Sequence, residues 1–545
     1  MSYSKKYHID IKANKEVLTT IINDVSTLKN PDHKKVEKII HKNPAKNGNI
    51  LSKSAIYLAY LKLKDSKDIK LTQNQEKQFL KHIQMKKIRT LSGVVPVTVL
   101  TKPFFCPGEC IFCPTDIKMP KSYISNEPGA QRALSNDFDP YLQTFNRLLA
   151  LRNMGHPTEK VELIILGGTW SVYPEKYQIW FIKRCFEALN DFGNSKTTKM
   201  LKKGFGSEEK VTWKELFKVH KQNETAKSRC VGLSVETRPD YVTQEEVIRM
   251  RKLGATKVQI GIQGLDSKIL KINKRGHSVE TTKEAIKLLR LGGFKIHVHW
   301  MPNLYGSDLK KDKLDFKKLF SDPAIIPDEL KIYPCMLMKG TELENLYDSG
   351  DWEPHTNEQL ENLLVYVFKN VPRFCRITRV IRDFSGDDIL AGSKQSNLRQ
   401  VVEKKVKSKD VRAREVRDEK FENAKLKITK YDTSVSEEQF LEFVTPDDKI
   451  VGFLRLSLPE GDLAMIREVH VYGKSEKLGE EGRTQHIGYG TKLIDEAKEI
   501  SRKRGYRGLR VISAVGTRKY YEKLEFMNDG LYQCFHFIPH PELGF

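Results

Sequence analysis

An α/β fold is what this sequence predicts: a partial (β/α) barrel, preceded by a small helical N-terminal domain and followed by a C-terminal α+β domain. Three observations predict it. Between residues 91 and 375, apolar runs of strand length alternate with helical patterns. Before residue 91, apolar residues recur only at helical spacing, and after residue 425 closely spaced alternating strands take over. A chain of 545 residues is too long for one core. The expected divisions are 1–90, 91–375, a basic linker at 376–425, and 426–545.

The first 90 residues carry 20 Lys and Arg against 8 Asp and Glu. Val17, Leu18, Ile21, Ile22 and Val25 share one helical face, and Ile56, Tyr57, Leu58, Tyr60 and Leu61 form a second apolar run. Lys34, Lys35, Lys38, Lys42, Lys46 and Lys53 lie between them. Such a face can follow a phosphate backbone without reading sequence. The plainer alternative is an ordinary solvated surface.

Residues 92–100 read as a buried strand, and further strands follow at 161–166, 230–235, 257–262, 295–301 and 329–333. Helical patterns such as 242–253 and 281–291 separate them. That alternation implies a parallel sheet, whose ligands bind beyond the C-terminal ends of the strands. Gly167-Gly168-Thr169, Glu236 and Gln263 fall at those ends. Gly167 and Gly168 suit either a plain tight turn or a close approach of a ligand to the backbone, with the second favoured after a strand, whereas a lone Gln263 or His299 is more often a satisfied core polar group. The polar segment 192–228 reads as an insertion on the rim.

Directly after the first strand comes Cys106-x3-Cys110-x2-Cys113, three of the eight cysteines. A structural zinc site needs a fourth ligand from a second cysteine or histidine pair, and none follows; His156 and Cys185 stand alone. Three thiolates without a fourth suit a [4Fe–4S] cube with one iron open to a small molecule. Phe112 offers an apolar face beside it. A degenerate zinc knuckle or a buried thiol cluster is the alternative.

Arg376, Arg379 and Arg382 begin a basic run that continues through Lys404, Lys405, Lys407, Lys409, Arg412, Arg414 and Arg417, which reads as a linker adding to the basic surface. Strands at 426–431, 449–457 and 464–472 follow. Gln485-x2-Gly488-Tyr489-Gly490 then opens a helix at Thr491, aiming free N–H groups and the positive end of a dipole at an anion. A strand at 509–513 and a helix bearing Tyr520 and Tyr521 complete the domain.

The net charge of +24 draws polyanions, with nucleic acid the first guess, while hydrophobic content of 39% is globular. No apolar stretch reaches the ~20 residues of a membrane span, and no secretory signal is seen. The remaining cysteines are scattered singly, as in a reducing compartment, so a cytoplasmic location is expected.

Two motifs carry a resemblance. C-x3-C-x2-C with Phe112 before the third cysteine resembles the signature of radical S-adenosylmethionine (SAM) enzymes. The Gln485–Thr491 loop, between a strand and a helix, resembles the acetyl-coenzyme A loop of GNAT acetyltransferases. In this order, with Glu236-Thr-Arg-Pro-Asp240, Asn273-Lys-Arg-Gly-His277, Asp410-Val-Arg-Ala-Arg-Glu-Val416 and Gly516-Thr-Arg-Lys-Tyr520-Tyr521, the chain resembles the catalytic subunit family of Elongator (elongator complex protein three). The resemblance implies formation of 5-carboxymethyluridine at the wobble position of tRNA. A deoxyadenosyl radical from SAM would take hydrogen from the acetyl methyl of acetyl-coenzyme A, and the carbon radical would add to the uracil.

By resemblance, Cys106, Cys110 and Cys113 hold the cluster. Lys160, Glu468, Val469, His470, Val471, Tyr489, Gly490, Thr491 and Tyr521 contact acetyl-coenzyme A, with Gln485 and Gly488 in the same loop, and Lys160, Tyr520 and Tyr521 lie at its reacting end. The implied partners are the anticodon arm of tRNA and either Elongator-type subunits or a second copy, with no DNA or membrane. The chain departs from the family in Pro114-Thr115-Asp116 after the third cysteine, and in having no cysteine across 407–416, so no zinc is expected there. The main rival is a lysine acetyltransferase with a structural cluster, for which Glu468 is the nearest candidate base. A non-catalytic tRNA-binding scaffold is the other.

Overall fold

The protein is described by a computed structural model covering residues 10–28, 33–85, 92–195, 197–202, 211–417, 421, 423–472 and 488–537. Four helices open it: α1 (Lys15–Thr27), α2 (His33–Lys42), α3 (Lys53–Asp65) and α4 (Gln73–Ile83). They enclose a core of their own around Leu18, Ile21, Val25, Val36, Ile40, Tyr60 and Phe79. Ser52 caps α3 by accepting from the Ala55 N–H, and Thr72 with Gln75 forms a capping box on α4. Lys34, Lys35, Lys38, Lys42 and Lys46 are exposed.

The central body is a seven-stranded sheet of β1 (Val95–Leu100), β2 (Lys160–Leu166), β3 (Arg229–Thr237), β4 (Lys257–Gln263), β5 (Lys295–Trp300), β6 (Glu329–Ile332) and, beyond the two-residue β7 (Leu337–Met338), β8 (Arg376–Val380). The order is β1-β2-β3-β4-β5-β6-β8 and every pairing is parallel. β1 and β8 do not pair with each other, so the barrel stays open. The connecting helices are α5 (Pro128–Leu134), α6 (Pro140–Asn153), α7 (Glu175–Asn194), α8 (Trp213–Asn223), α9 (Gln244–Lys252), α10 (Ser267–Ile272), α11 (Val279–Leu291), α12 (Leu309–Ser321), α13 (Leu343–Asp348) and α14 (Asn357–Asn370). The segment expected as a rim insertion therefore supplies α8, whose Leu216 and Val219 join the main core.

The strands are not uniformly apolar, as parallel strands covered on both faces usually are. Val258, Ile260, Ile296, Val298 and Leu330 belong to the core, as do Val95, Val97 and Val99. Their neighbours Lys257, Gln259, Lys295, His297, His299, Glu329 and Lys331 bond one another across the inside. A period of two places the charged and polar side chains in the lumen.

The linker expected at 376–425 needs correction at its start. Arg376–Val380 is β8, the seventh strand, and a short β9 (Ile389–Ala391) pairs with β7. α15 (Leu398–Lys405) follows, and Ile377, Leu398, Val402, Val411 and Val416 are buried in the main core. Several of its basic residues are also spent internally. Arg376 pairs with Glu415, Arg382 with Glu127, Arg399 with Asp410 and Arg414 with Glu442. Apolar side chains around β8 are few, but Ile377, Val380 and Ile381 are all buried, so charge density hides the strand.

The C-terminal part forms a second seven-stranded sheet from β10 (Lys425–Asp432), β11 (Ser436–Val444), β12 (Ile450–Pro459), β13 (Leu463–Val471), β14 (Gly508–Val511), β15 (Met527–Asp529) and β16 (Tyr532–His536), in the order β10-β11-β12-β13-β14-β16-β15. All pairings are antiparallel except β13 with β14, which run parallel only from Leu463 to Ile466. Beyond Ile466, β13 keeps its pairing with β12 as far as Val471 but leaves β14. α16 (Tyr489–Lys503) packs Leu493, Ile494 and Ala497 on this sheet, and α17 (Arg518–Glu522) follows β14.

This sheet docks on the end of the barrel where the strands begin. Arg467 donates to Asp328 at 2.8 and 2.6 Å and to the Phe294 carbonyl at 2.8 Å, and Asp328 also accepts from the Ile296 N–H. Gly516 lies so close to β3 that a Cβ there would sit 2.7 Å from the Cys230 carbonyl oxygen. Phe440, Ile450, Phe453 and Val515 share one apolar core with the barrel. No described helix is long and apolar enough to cross a membrane.

Candidate active site

The chain leaves β1 at Leu100 and runs into the cysteine loop at the end where the strands finish. The loop is tied down by its backbone: Cys113 N–H donates to the Cys110 carbonyl, Ile111 N–H to that of Asn273, and Leu343 N–H to that of Ile111. Cys106, Cys110, Phe112 and Cys113 line a cavity of about 610 Å³ that runs down into the lumen past Thr98 to Pro96. Gly168, Thr169, Glu236, Gln263 and His299 share that lining. So Gln263 and His299, read from sequence as ordinary core polar groups, face the cavity. Gln263 adopts φ 67° and its buried Oε1 has no protein partner.

Gly167 explains itself sterically. It adopts φ 133°, and a Cβ there would lie 1.9 Å from Thr101 Oγ1. The Thr101 and Tyr173 hydroxyls both donate to the Gly167 carbonyl, at 3.2 and 3.3 Å, fixing the turn after β2. Gly167→Ala is expected to lower stability by about 2–4 kcal/mol, from overpacking plus a left-handed backbone. Urea unfolding measures it, and an unchanged midpoint would remove this reading of the turn.

Burial, then the neighbouring Cys110, pushes the Cys113 thiol up to about 12. Packed this way the Cys113 thiol holds its proton until a metal displaces it. No three His, Cys, Asp or Glu side chains among the described residues are grouped to hold a single ion. The ligands of a four-iron cube each take a different iron and stand further apart than those of one ion. Three thiols on one short loop, at the mouth of a cavity, fit that donor set.

The residues expected at the thioester lie elsewhere. Lys160 opens β2 and Gly167 follows its end, so roughly 20 Å of strand separates them. Burial, with Arg229 nearby, lowers the Lys160 ammonium. Glu468 is next to Lys295 and Arg455 at the same end. Burial opposes its ionisation, but these two cations hold its carboxyl below the usual range. A carboxylate held ionised between two cations is a weak proton acceptor, which counts against Glu468 as a general base.

His470 stacks on Phe453 at 5.8 Å and meets Tyr472 at a tilt, 4.5 Å between centroids, and burial lowers it to about 4. Val469 and Val471 continue β13 past its divergence from β14. Gly488, at φ 99°, precedes α16, and Tyr489, Gly490 and Thr491 form its first turn. A Cβ on Gly490 would lie 3.0 Å from the Tyr520 hydroxyl and 3.5 Å from Val471, so strand, helix start and Tyr520 converge. Tyr520 is 41% exposed, whereas Tyr521 is 7% exposed with its ring against Phe526 in the domain core. Gln485 lies outside the described residues.

Between the two ends runs the polar lumen. Lys257 pairs with Glu162 and, at 3.3 Å, with Glu329; Lys295 reaches Glu329 at 3.3 Å and Glu468. Above this layer, His297 meets Thr378 at 2.8 Å and His299 meets Gln259 at 3.3 Å. Burial holds both imidazoles well below their usual range, hence neutral. Sequence reasoning missed this layer, although the alternation K-V-Q-I-G-I-Q at 257–263 is its signal.

Comparison with known proteins agrees with this arrangement. The chain matches the Radical SAM superfamily over residues 101–311 and the Radical_SAM C-terminal domain over residues 327–408. It is 38% identical over 501 residues to a tRNA uridine(34) acetyltransferase of Methanocaldococcus infernus, covering 86% of this chain and 90% of the relative. It is 32% identical over 495 residues to Elongator complex protein 3 of Drosophila melanogaster, covering 84% and 86%. The solved structure of the archaeal M. infernus Elp3 with an N-terminal deletion superposes with a TM-score of 0.69 at 35% identity, covering 82% of this chain and 99% of that one. On this evidence the chain belongs to the family of tRNA uridine(34) acetyltransferases and Elongator complex protein 3.

Proposed function

We propose that this chain is a tRNA-modifying enzyme that forms 5-carboxymethyluridine at the wobble uridine, using acetyl-coenzyme A and SAM. One observation carries the reading: three cysteines and Gly168 line a cavity large enough for a small cofactor and a base. Cys106, Cys110 and Cys113 are the residues that would hold a [4Fe–4S] cluster. When bound, the cluster supplies the electron that cleaves SAM. The Gly167-Gly168 backbone leaves room for the SAM amino group, and Phe112 gives its adenine an apolar wall. The walls of the cavity exclude bulk water from the reacting atoms.

The C-terminal domain fits a GNAT fold. The divergence of β13 from β14, with α16 starting beside it, is the place where free backbone groups and a helix N-terminus are available to a pyrophosphate. There Glu468–Val471, Gly488–Thr491 and Tyr520 are proposed to hold acetyl-coenzyme A, with Lys160 and the exposed Tyr520 nearer its reacting end than the core-packed Tyr521; Gln485 belongs to the same proposal. The exposed lysines of the helical domain would grip the anticodon arm of tRNA, leaving an unstacked base to enter the cavity. Elongator-type subunits or a second copy are the proposed protein partners, and the cytoplasm the proposed location.

Anaerobic reconstitution followed by mass spectrometry of tRNA nucleosides tests this reading. Carboxymethyluridine should appear only when SAM, reductant and acetyl-coenzyme A are all present. Acetyl-lysine without SAM, and no modified uridine, would instead support a protein acetyltransferase. Tight tRNA binding with no product would support a scaffold. Charge reversal at Lys35, Lys38 and Lys42 together is expected to weaken tRNA binding and reduce the slope of log affinity against log salt by about 2. An unchanged slope would place the tRNA elsewhere.

A further inference from the structure

We propose that Arg275 is a positioning residue that sets the charge at Cys110 and thereby the ease with which a cluster on this loop takes up an electron. This rests on the reading of the cysteine loop as a cluster site. Arg275 is 5% exposed. Its Nη1 donates to Cys110 Sγ at 2.8 Å and its Nη2 to the Gly261 carbonyl at 2.7 Å, while its buried Nε has no partner. Among the described residues it forms no ion pair with a carboxylate.

The contrast is its neighbour Arg238. That guanidinium also packs on the cysteine loop, lying where a Cβ on Gly108 would be, 2.3 Å from it. But Arg238 is gripped by Asp240, through Nε at 3.0 Å and Nη2 at 2.9 Å, and it donates to the Arg275 carbonyl at 2.6 Å. Asp240 thus neutralises Arg238, and Arg238 pins the backbone that carries Arg275.

A buried guanidinium is costly without a counter-charge. Among the described residues no carboxylate pairs with Arg275, so the anion within its reach is the sulfur of Cys110 once a metal has taken its proton. A positive donor on a cluster ligand stabilises the more negative, reduced state, so the loaded loop is easier to reduce. The planar fork matters as well as the charge, because it reaches sulfur and the Gly261 carbonyl at once.

The test is a redox titration, followed by electron paramagnetic resonance, of the full chain reconstituted without SAM. In Arg275→Gln, iron and sulfide per chain and the melting temperature should match the unaltered protein. At a fixed potential the ratio of reduced to oxidised cluster should fall about tenfold, a 59 mV downward shift for one electron. Arg275→Lys should lie between the two. If Arg275→Gln loads no iron, Arg275→Lys carries the test, and its midpoint must still be lower. An unchanged midpoint in either loaded variant overturns the proposal, including where only SAM affinity weakens, because the guanidinium then serves the SAM carboxylate. Failure of the unaltered chain to load any cluster would instead overturn the reading of the loop.

Discussion

In Cys110→Ala, formation of carboxymethyluridine is expected to fall to background while tRNA affinity stays within about threefold. The two effects separate because they live on different parts of the fold. Cys110 stands at the cavity mouth, whereas the exposed lysines belong to a helical domain with its own core. Deleting one of three thiolates leaves two, too few to hold a cube against exchange. The cost to folding is limited to the Arg275 donor left facing an empty position, about 1–3 kcal/mol. Iron content and filter binding of tRNA on the same preparation check both halves. Lost tRNA binding in a variant with unchanged circular dichroism would contradict this division.

Asp328→Ala is expected to cost about 3–5 kcal/mol, among the largest effects of any single change in this chain. The carboxylate is wholly buried and accepts from both terminal nitrogens of Arg467 and from the Ile296 N–H, with Arg455 3.5 Å away. Burial alone would raise its pKa, but Arg467, Arg455 and Arg290 overrule it and hold the group far below the ordinary range. Removal strands those guanidinium groups with Glu438 as one of few remaining counter-charges.

The acid limb follows from the same depression. In the unfolded chain this carboxyl titrates near about 3.9. Its contribution is present in full above that value, and is lost as pH falls from there toward the folded one. Asp328→Ala should therefore show a shallower loss of stability below about pH 4 than the unaltered protein, measured by urea unfolding across a pH series. Parallel acid limbs would mean that Asp328 is not the group responsible.

Much of this architecture is legible in the sequence, and the misses have physical causes. The strand expected at 230–235 is β3, and that at 329–333 is β6 to within a residue. Each has an outer face of Val, Ile or Leu against the helices, which makes it visible. β8 was hidden because Arg376-Ile-Thr-Arg-Val380 offers only two apolar residues, Ile377 and Val380, and a polar lumen accepts the rest. Cys106, Cys110, Cys113 and Gly167 announce themselves by local spacing and by a turn after a strand. Arg275 and Asp328 do not, because each acquires its role from partners distant in sequence: Cys110 is 165 residues from Arg275, and Arg467 is 139 from Asp328. Tyr520 and Tyr521 show the same limit. Adjacent positions in one short helix cannot be told apart until the packing of Phe526 claims one of them.

The contact of Gly516 with the start of β3 leaves no slack where the two sheets meet. Severed near residue 425, the N-terminal fragment would show water a bare carboxylate at 328 and an apolar scar where Phe440, Ile450 and Phe453 had been. Neither fragment would be a lesser enzyme, since each half is the other's missing wall.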